Sequence, residues 1–260
     1  MVQAPNAHEA SASEPQPPVQ QPGGDHEATT TGLSHRKLLM WAFLGSDCMF
    51  FGTLIATYLV YKGKSTVGAL PEDVFSIPVT SVSTFVLLMS SMSMVLAYAA
   101  LRRGSLKGYR VWLLSTILLG STFLGFQTFE FFEFVNHEVT IDCHEYAADP
   151  DEFSQFESGI AEQECTEGVD EYEGTHGLTP RTNLFGTTFF TLTGLHGTHV
   201  TIGVIWLLAL FFYSFKKGGV TPARHLDTDL AALYWHFVDV VWIIIFPVVY
   251  LFGVFEGFPT

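Results

Sequence analysis

Residues 184–215 read LFGTTFFTLTGLHGTHVTIGVIWLLALFFYSF, a run without one Asp, Glu, Lys or Arg. About 20 apolar residues in a helix cross a hydrocarbon core roughly 30 Å thick, and this run exceeds that length. Four more stretches, uncharged or nearly so, stand on either side of it: Leu38 to Tyr61, Ile77 to Leu101, Val111 to Val135 and Leu230 to Val254. A large soluble protein can hide one such helix in its core. Five in a chain of 260 residues leave almost no amphipathic helix to cover a core. The expected fold is therefore all-α, an integral, multi-pass membrane bundle of five transmembrane helices.

Charge is segregated along the same lines. The chain holds 12 Lys and Arg against 26 Asp and Glu, for a net charge of −14, and no Lys or Arg occurs from Val111 to Pro180. Half of the acids, 13, fall between His137 and Leu178. This balance points away from nucleic acid and towards alternating solvents. Basic residues near span ends mark the cytoplasmic side. Arg36, Lys37, Arg102, Arg103, Lys107, Arg110, Lys216, Lys217 and Arg224 lie in one set of loops; the other set holds Lys62, Lys64 and Arg181. The N-terminus is expected inside and the C-terminus outside, as an odd number of spans requires.

Residues 1–34 carry Pro5, Pro15, Pro17, Pro18 and Pro22 and almost no large apolar side chain, so a disordered cytoplasmic tail is expected. It has no cleavable signal pattern, and the first span is expected to direct its own insertion. The membrane domain then covers 35–260 and includes an acidic extracytoplasmic loop over 137–182. Cys143 and Cys165 lie in that loop, where an oxidising compartment permits a disulfide between them; two free thiols are the other reading. Cys48, inside the first span, is expected to pack as an apolar residue.

Ionisable groups at membrane depth cost roughly 3 kcal/mol each on insertion scales, and they persist where they face protein, a partner or water. The chain has Asp47 in its first span, Glu130 and Glu133 in the third, His196 and His199 in the fourth, and His236 and Asp239 in the fifth. Each of the last three sets is an i,i+3 pair on one helix face, and Gln127 extends the Glu130 stripe by a turn. Haem ligation, a di-metal oxygenase, a proton or ion relay in a transporter, and interhelical hydrogen bonding all use such groups. Two histidines three apart cannot hold opposite axial positions of one haem, and a di-metal site asks for denser histidines. Transporters show repeats or broken helices, of which Pro78 and Pro247 mark only a helix start and a kink. Structural pairing is favoured by Gly194, Gly197 and Gly203, which permit close approach, and by Ser90, Ser91 and Ser93.

The segment Tyr234-Trp235-His236-Phe237-Val238-Asp239-Val240-Val241-Trp242 resembles the signature of subunit III of cytochrome c and quinol oxidases. Phe189 to Val200 is similar to that family's Thr-Gly-Phe-His-Gly-Leu-His-Val stretch. Gln127-Thr128-Phe129-Glu130-Phe131 resembles its Gln-x-x-Glu-Tyr, with Phe131 in the tyrosine position. Asp47 in Gly45 to Phe51, and Asp229, stand where the family has Glu. The four motifs fall in family order.

The resemblance implies an accessory subunit of a proton-pumping haem-copper oxidase in aerobic respiration. Such a subunit has no redox centre of its own, while haem and copper belong to the partner catalytic subunit I. It supports proton uptake, protects against turnover-linked inactivation, holds structural phospholipid and aids oxygen access. Asp47, Gln127, Glu130, Glu133, His196, His199, Asp229, Trp235, His236 and Asp239 are then candidates for intramembrane polar and subunit contacts. Longer members have seven spans, the first two forming one arm of a lipid-filled cleft; this chain resembles the five-span bacterial form. The acidic loop is either solvated surface or a landing site for a cytochrome c domain.

Overall fold

The computed structural model describes residues 34–61, 77–136, 138–148, 160–162, 164–166, 169–175, 178–180, 184–216, 218–223 and 225–251. The tail 1–33, the basic residues Lys62, Lys64, Arg181, Lys217 and Arg224, and the end of the fifth stretch after Leu251 lie outside them. The chain divides into two units, Met1–Leu39 and Met40–Thr260, and what is described of the first is the opening turn of α1.

In order, the elements are α1 (His35–Tyr61), α2 (Ile77–Arg102), α3 (Leu106–Val135), β1 (Glu138–Asp142), α4 (Cys143–Ala148), β2 (Glu171–Thr175), α5 (Leu184–Tyr213) and α6 (Leu226–Phe246). A π-helical segment, Pro247–Leu251, continues α6. Among the described residues, five helices are long and apolar enough to cross a membrane. Three begin before the apolar run does, because polar residues make a helix's first turn as readily as apolar ones.

Local chemistry explains the ends. The α2–α3 connection is a Schellman turn: Gly104 N–H donates to the Leu101 carbonyl at 2.9 Å and Ser105 N–H to that of Ala100 at 3.0 Å. Gly104 has φ +78°, which glycine adopts without the Cβ penalty. The hydroxyl of Ser105 then accepts from Gly108 N–H and caps α3. At the other end of the bundle Pro247 brings no N–H to the ladder, and the backbone widens into its π-helical segment. There the Val249 carbonyl accepts from the Tyr58 hydroxyl at 3.3 Å.

Trp235 is the centre of the core, 1 % exposed. A Cβ at Gly120 of α3 would fall 2.6 Å from its ring, and one at Gly203 of α5 would fall 2.9 Å from it. Its indole N–H donates to Ser90 of α2 at 3.1 Å. One α6 side chain thus touches three other helices, and two glycines make the room.

Helix α1 packs differently. Its buried residues are Leu44, Phe51 and Tyr58, seven apart, so it meets the bundle along one narrow seam. Trp41, Phe43, Met49 and Phe50 stay exposed, as hydrocarbon allows. Cys48 is exposed too, which corrects the expectation of a packed cysteine: it lies off the seam.

The acidic loop adds a feature that an all-helical reading omits. β1 and β2 form an antiparallel ribbon in register from Glu138 opposite Thr175 to Asp142 opposite Glu171. Cys143 and Cys165 are joined in a disulfide, with Cα atoms 5.5 Å apart. Asp142 caps α4 by accepting from the backbone N–H of His144 at 2.8 Å, and Leu178 N–H donates to the Phe134 carbonyl at 2.8 Å, tying the loop's return to α3.

Candidate functional site: polar pairs between the helices

Inward-facing polar groups lie in layers along the bundle. Nearest the acidic loop, Glu130 is 2 % exposed and accepts a short hydrogen bond from the Thr80 hydroxyl of α2. Glu133, one turn on, is exposed. A three-residue step rotates about 60° short of a full turn, enough at the edge of a helix seam to separate a buried carboxylate from an outward one. The structure therefore does not bring Glu133 into the network.

In the middle layer the two α5 histidines part company. His199 donates from Nδ1 to the Leu195 carbonyl at 2.7 Å and turns Nε2 towards Asp47 Oδ2 of α1, 3.4 Å away. That separation is long for a hydrogen bond, and Asp47 Oδ2 has no hydrogen-bond partner among the described residues. The Tyr234 hydroxyl of α6 donates to the His199 carbonyl at 3.0 Å. His196 is fully buried, stacked on Trp242 with ring centres 4.8 Å apart and set edge-on to Phe123. Neither of its ring nitrogens has a hydrogen-bond partner among the described residues. Gln127 donates from Nε2 to the Thr193 carbonyl at 2.9 Å, bridging α3 to α5.

Between α2 and α6 a ladder of side-chain bonds follows their antiparallel register. Trp242 N–H donates to Thr84 at 3.0 Å, Trp235 N–H to Ser90, and His236 Nδ1 shares a 2.6 Å hydrogen bond with Ser91. Ser93 adds a 3.4 Å contact to Ser115 of α3. The Asp239 carboxylate is buried, and neither of its oxygens has a hydrogen-bond partner among the described residues. Asp229 sits in the first turn of α6 with Asp227, where negative charge complements the helix dipole.

Of the sequence candidates, then, Asp47 meets His199, Glu130 meets Thr80, His236 meets Ser91 and Trp235 meets Ser90. Thr80 completes one of these pairs; Thr84 accepts from Trp242, the Thr193 carbonyl accepts from Gln127 and Tyr234 donates to the His199 carbonyl, and none of these four is a candidate from the sequence. Threonine in an apolar span reads as filler; the signal for two of these was the recurrence of hydroxyls on α2. The three histidines face Trp242, Asp47 and Ser91 in turn and do not converge. Among the described residues no three His, Cys, Asp or Glu side chains are grouped to hold a metal ion.

A family model described as cytochrome c oxidase subunit III matches residues 168–254. Quinol oxidase subunit 3 of Bacillus subtilis is 37 % identical over 213 residues, covering 82 % of this chain and 85 % of the relative. Cytochrome c oxidase subunit 3 of Alkalihalophilus pseudofirmus is 32 % identical over 90 % of this chain and 94 % of its own length. Cytochrome bo(3) ubiquinol oxidase subunit 3 of Pseudomonas putida is 34 % identical, with coverages of 82 % and 84 %.

Proposed function

The chain belongs to the subunit III family of cytochrome c and quinol oxidases, and from that membership we propose that it braces the haem-bearing catalytic subunit I while carrying no redox centre itself. It is a multi-pass protein of the prokaryotic plasma membrane, a subunit of a haem-copper terminal oxidase. One observation carries the proposal: the in-span Asp47, Glu130, His199 and His236 each face a partner on another helix of this chain, and the pairs point in different directions. Such an arrangement fixes helix positions, which supports the bracing role. Bracing supports sustained proton uptake by the neighbour. Oxygen, being apolar, reaches that neighbour through hydrocarbon beside the bundle.

A groove of about 370 Å³ between α1 and α6, lined by Trp41, Leu44, Cys48, His236, Phe237 and Val240, supports a seat for structural phospholipid. The relatives' names include both quinol and cytochrome c as donors, and the donor site belongs to other subunits. The orientation that fits the loop charges puts the N-terminus inside and the acidic loop outside. A cytochrome c domain docking on that loop is tested by deleting residues 142–173. Docking requires the ionic-strength dependence of donor oxidation to vanish, and an unchanged dependence rejects it.

The main test is Asp47→Asn, which keeps the shape and removes the charge facing His199. Initial oxygen consumption should match the parent complex, while activity decays faster during sustained turnover or the subunit dissociates more readily. An immediate collapse of initial turnover contradicts an accessory role. Ion flux through liposomes holding this chain alone would favour the transporter reading.

A further inference from the structure

His236 of α6 is half-buried and lines the groove between α1 and α6 with Leu44, Cys48, Leu233, Phe237 and Val240. Its Nδ1 shares the 2.6 Å hydrogen bond with Ser91. Its Nε2 has no hydrogen-bond partner among the described residues, yet it is not shut in as both nitrogens of His196 are. The groove is the opening that His236 lines, so Nε2 is met from there.

Depth narrows what can meet it. Cys48 is the midpoint of the 27-residue α1, about 20 Å from either end at a rise of 1.5 Å per residue. The groove therefore reaches the middle of a hydrocarbon core roughly 30 Å thick, about 15 Å from the polar interface on each side. A phospholipid tail covers Leu44, Leu233, Phe237 and Val240 at that depth. It brings no donor or acceptor, and its ester carbonyls stay at the interface. Nε2 is then left unpaired in hydrocarbon, where a polar atom without a partner is costly.

The groove holds about 370 Å³, within the range of roughly 300–1,000 Å³ for small-molecule sites. One turn of a helix about 10 Å across fills roughly 420 Å³, so the space takes less than a turn of polypeptide. What fits is an apolar ring that carries a carbonyl or hydroxyl on a hydrocarbon tail, which is the chemistry of an isoprenoid quinone. Trp41 and Phe237 supply aromatic surface for a flat ring to pack on. The Ser91 hydroxyl both donates and accepts, so it lets the imidazole present Nε2 in either role. With Ser91 donating to Nδ1, Nε2 carries the proton and donates to a quinone carbonyl. With Nδ1 donating to Ser91, Nε2 accepts from a quinol hydroxyl. Both forms are met with no change in the number of protons on the protein.

We propose that the deep end of the α1–α6 groove binds the head of an isoprenoid quinone or quinol on His236 Nε2. It is a binding site, and no redox step is assigned to it. This rests on the reading of the groove as a lipid seat and names a different lipid for its deep end.

Cys48 reports on the site, because it lines the groove and is exposed while Cys143 and Cys165 are joined. The whole complex is purified in mild detergent through a tag on this chain and treated with N-ethylmaleimide, and the mass of this chain follows alkylation. A benzoquinone with a fully substituted ring and a decyl tail should slow alkylation about five-fold at four times its Kd. Its quinol should do the same, dioleoyl phosphatidylcholine should not, and His236→Leu should remove the quinone effect. Quinone protection that survives His236→Leu overturns the proposal. Equal slowing by phosphatidylcholine also overturns it but leaves the phospholipid seat standing, whereas slowing by neither removes both readings. Should His236→Leu fail to assemble, or Cys48 stay unmodified from the outset, solvent extraction of the complex from native membranes decides. Gly45→Leu fills the groove from a position where a Cβ meets nothing within 4 Å. It should lower quinone by about one molecule per chain, the content of one site. Gly52→Leu, equally free of contacts and outside the groove lining, should match the parent. Parental quinone content in Gly45→Leu overturns the proposal.

Discussion

Trp235 places one flat, nearly inextensible side chain where four helices meet, and small neighbours are the condition for it. With Gly120 2.6 Å from the ring on an added Cβ, there is no free volume to take a methyl. Overpacking of this kind costs about 1–3 kcal/mol. Gly120→Ala should therefore lower the thermal midpoint of the detergent-solubilised complex. Trp235→Phe, which deletes the ring edge that the methyl would strike, should lower it as well. Together the two changes should cost clearly less than the sum of their separate costs, since the second removes the clash made by the first. Strict additivity would show that glycine and tryptophan are not in contact. The motif containing Trp235 was readable from sequence, but the two glycines that accommodate it lie 115 and 32 positions away on other helices. Nothing local pairs them with it.

Helices α2 and α6 are joined by hydroxyls accepting from indoles and facing an imidazole, and these bonds look stronger than they are. Interhelical hydrogen bonds in membrane proteins average about 0.6 kcal/mol in double-mutant cycles, because separated helices in lipid find other partners. Ser90→Ala and Thr84→Val should each shift the thermal midpoint by a small amount, well below the shift for Gly120→Ala. A larger loss from Ser90→Ala would mean that the hydroxyl, rather than the packed ring, positions α6. The serines on α2 were expected to join helices, and Ser90 and Ser91 do so with Trp235 and His236. The i,i+3 rule placed Glu130 with Glu133 and His196 with His199, yet burial separates the first pair and different neighbours separate the second. Periodicity gives angular position on one helix; what stands opposite is a property of the next helix.

For the whole molecule, the acidic loop shares the core of the bundle and adds ties of its own. The helices pack through a continuous apolar core that Ile160, Ala161 and Leu178 of the loop join, and the loop adds a two-stranded ribbon and the Cys143–Cys165 bond. A two-stranded ribbon is marginal in water without further support. By chain entropy a bridge of sequence separation 22 contributes about 3 kcal/mol, and here that contribution belongs to the loop. Alkylation followed by mass measurement should find the two thiols blocked until reductant is added. Cys143→Ser with Cys165→Ser should then speed proteolytic cleavage between residues 143 and 175 while leaving the haem-to-chain ratio unchanged. Loss of haem would mean that the loop itself holds the partner.

The sequence by itself determined the all-α class, the number of membrane helices and the family, because span length is set by bilayer thickness and the motifs are contiguous. It also singled out the polar groups, since each is costly in hydrocarbon wherever it points. Tertiary structure decided what each one meets. Asp47 faces His199, Glu130 reaches Thr80 and Glu133 turns away, while Gln127 reaches the Thr193 carbonyl. The physical reason is that polar cost depends on the residue and its depth, whereas satisfaction depends on a donor or acceptor that another helix brings to within about 3 Å.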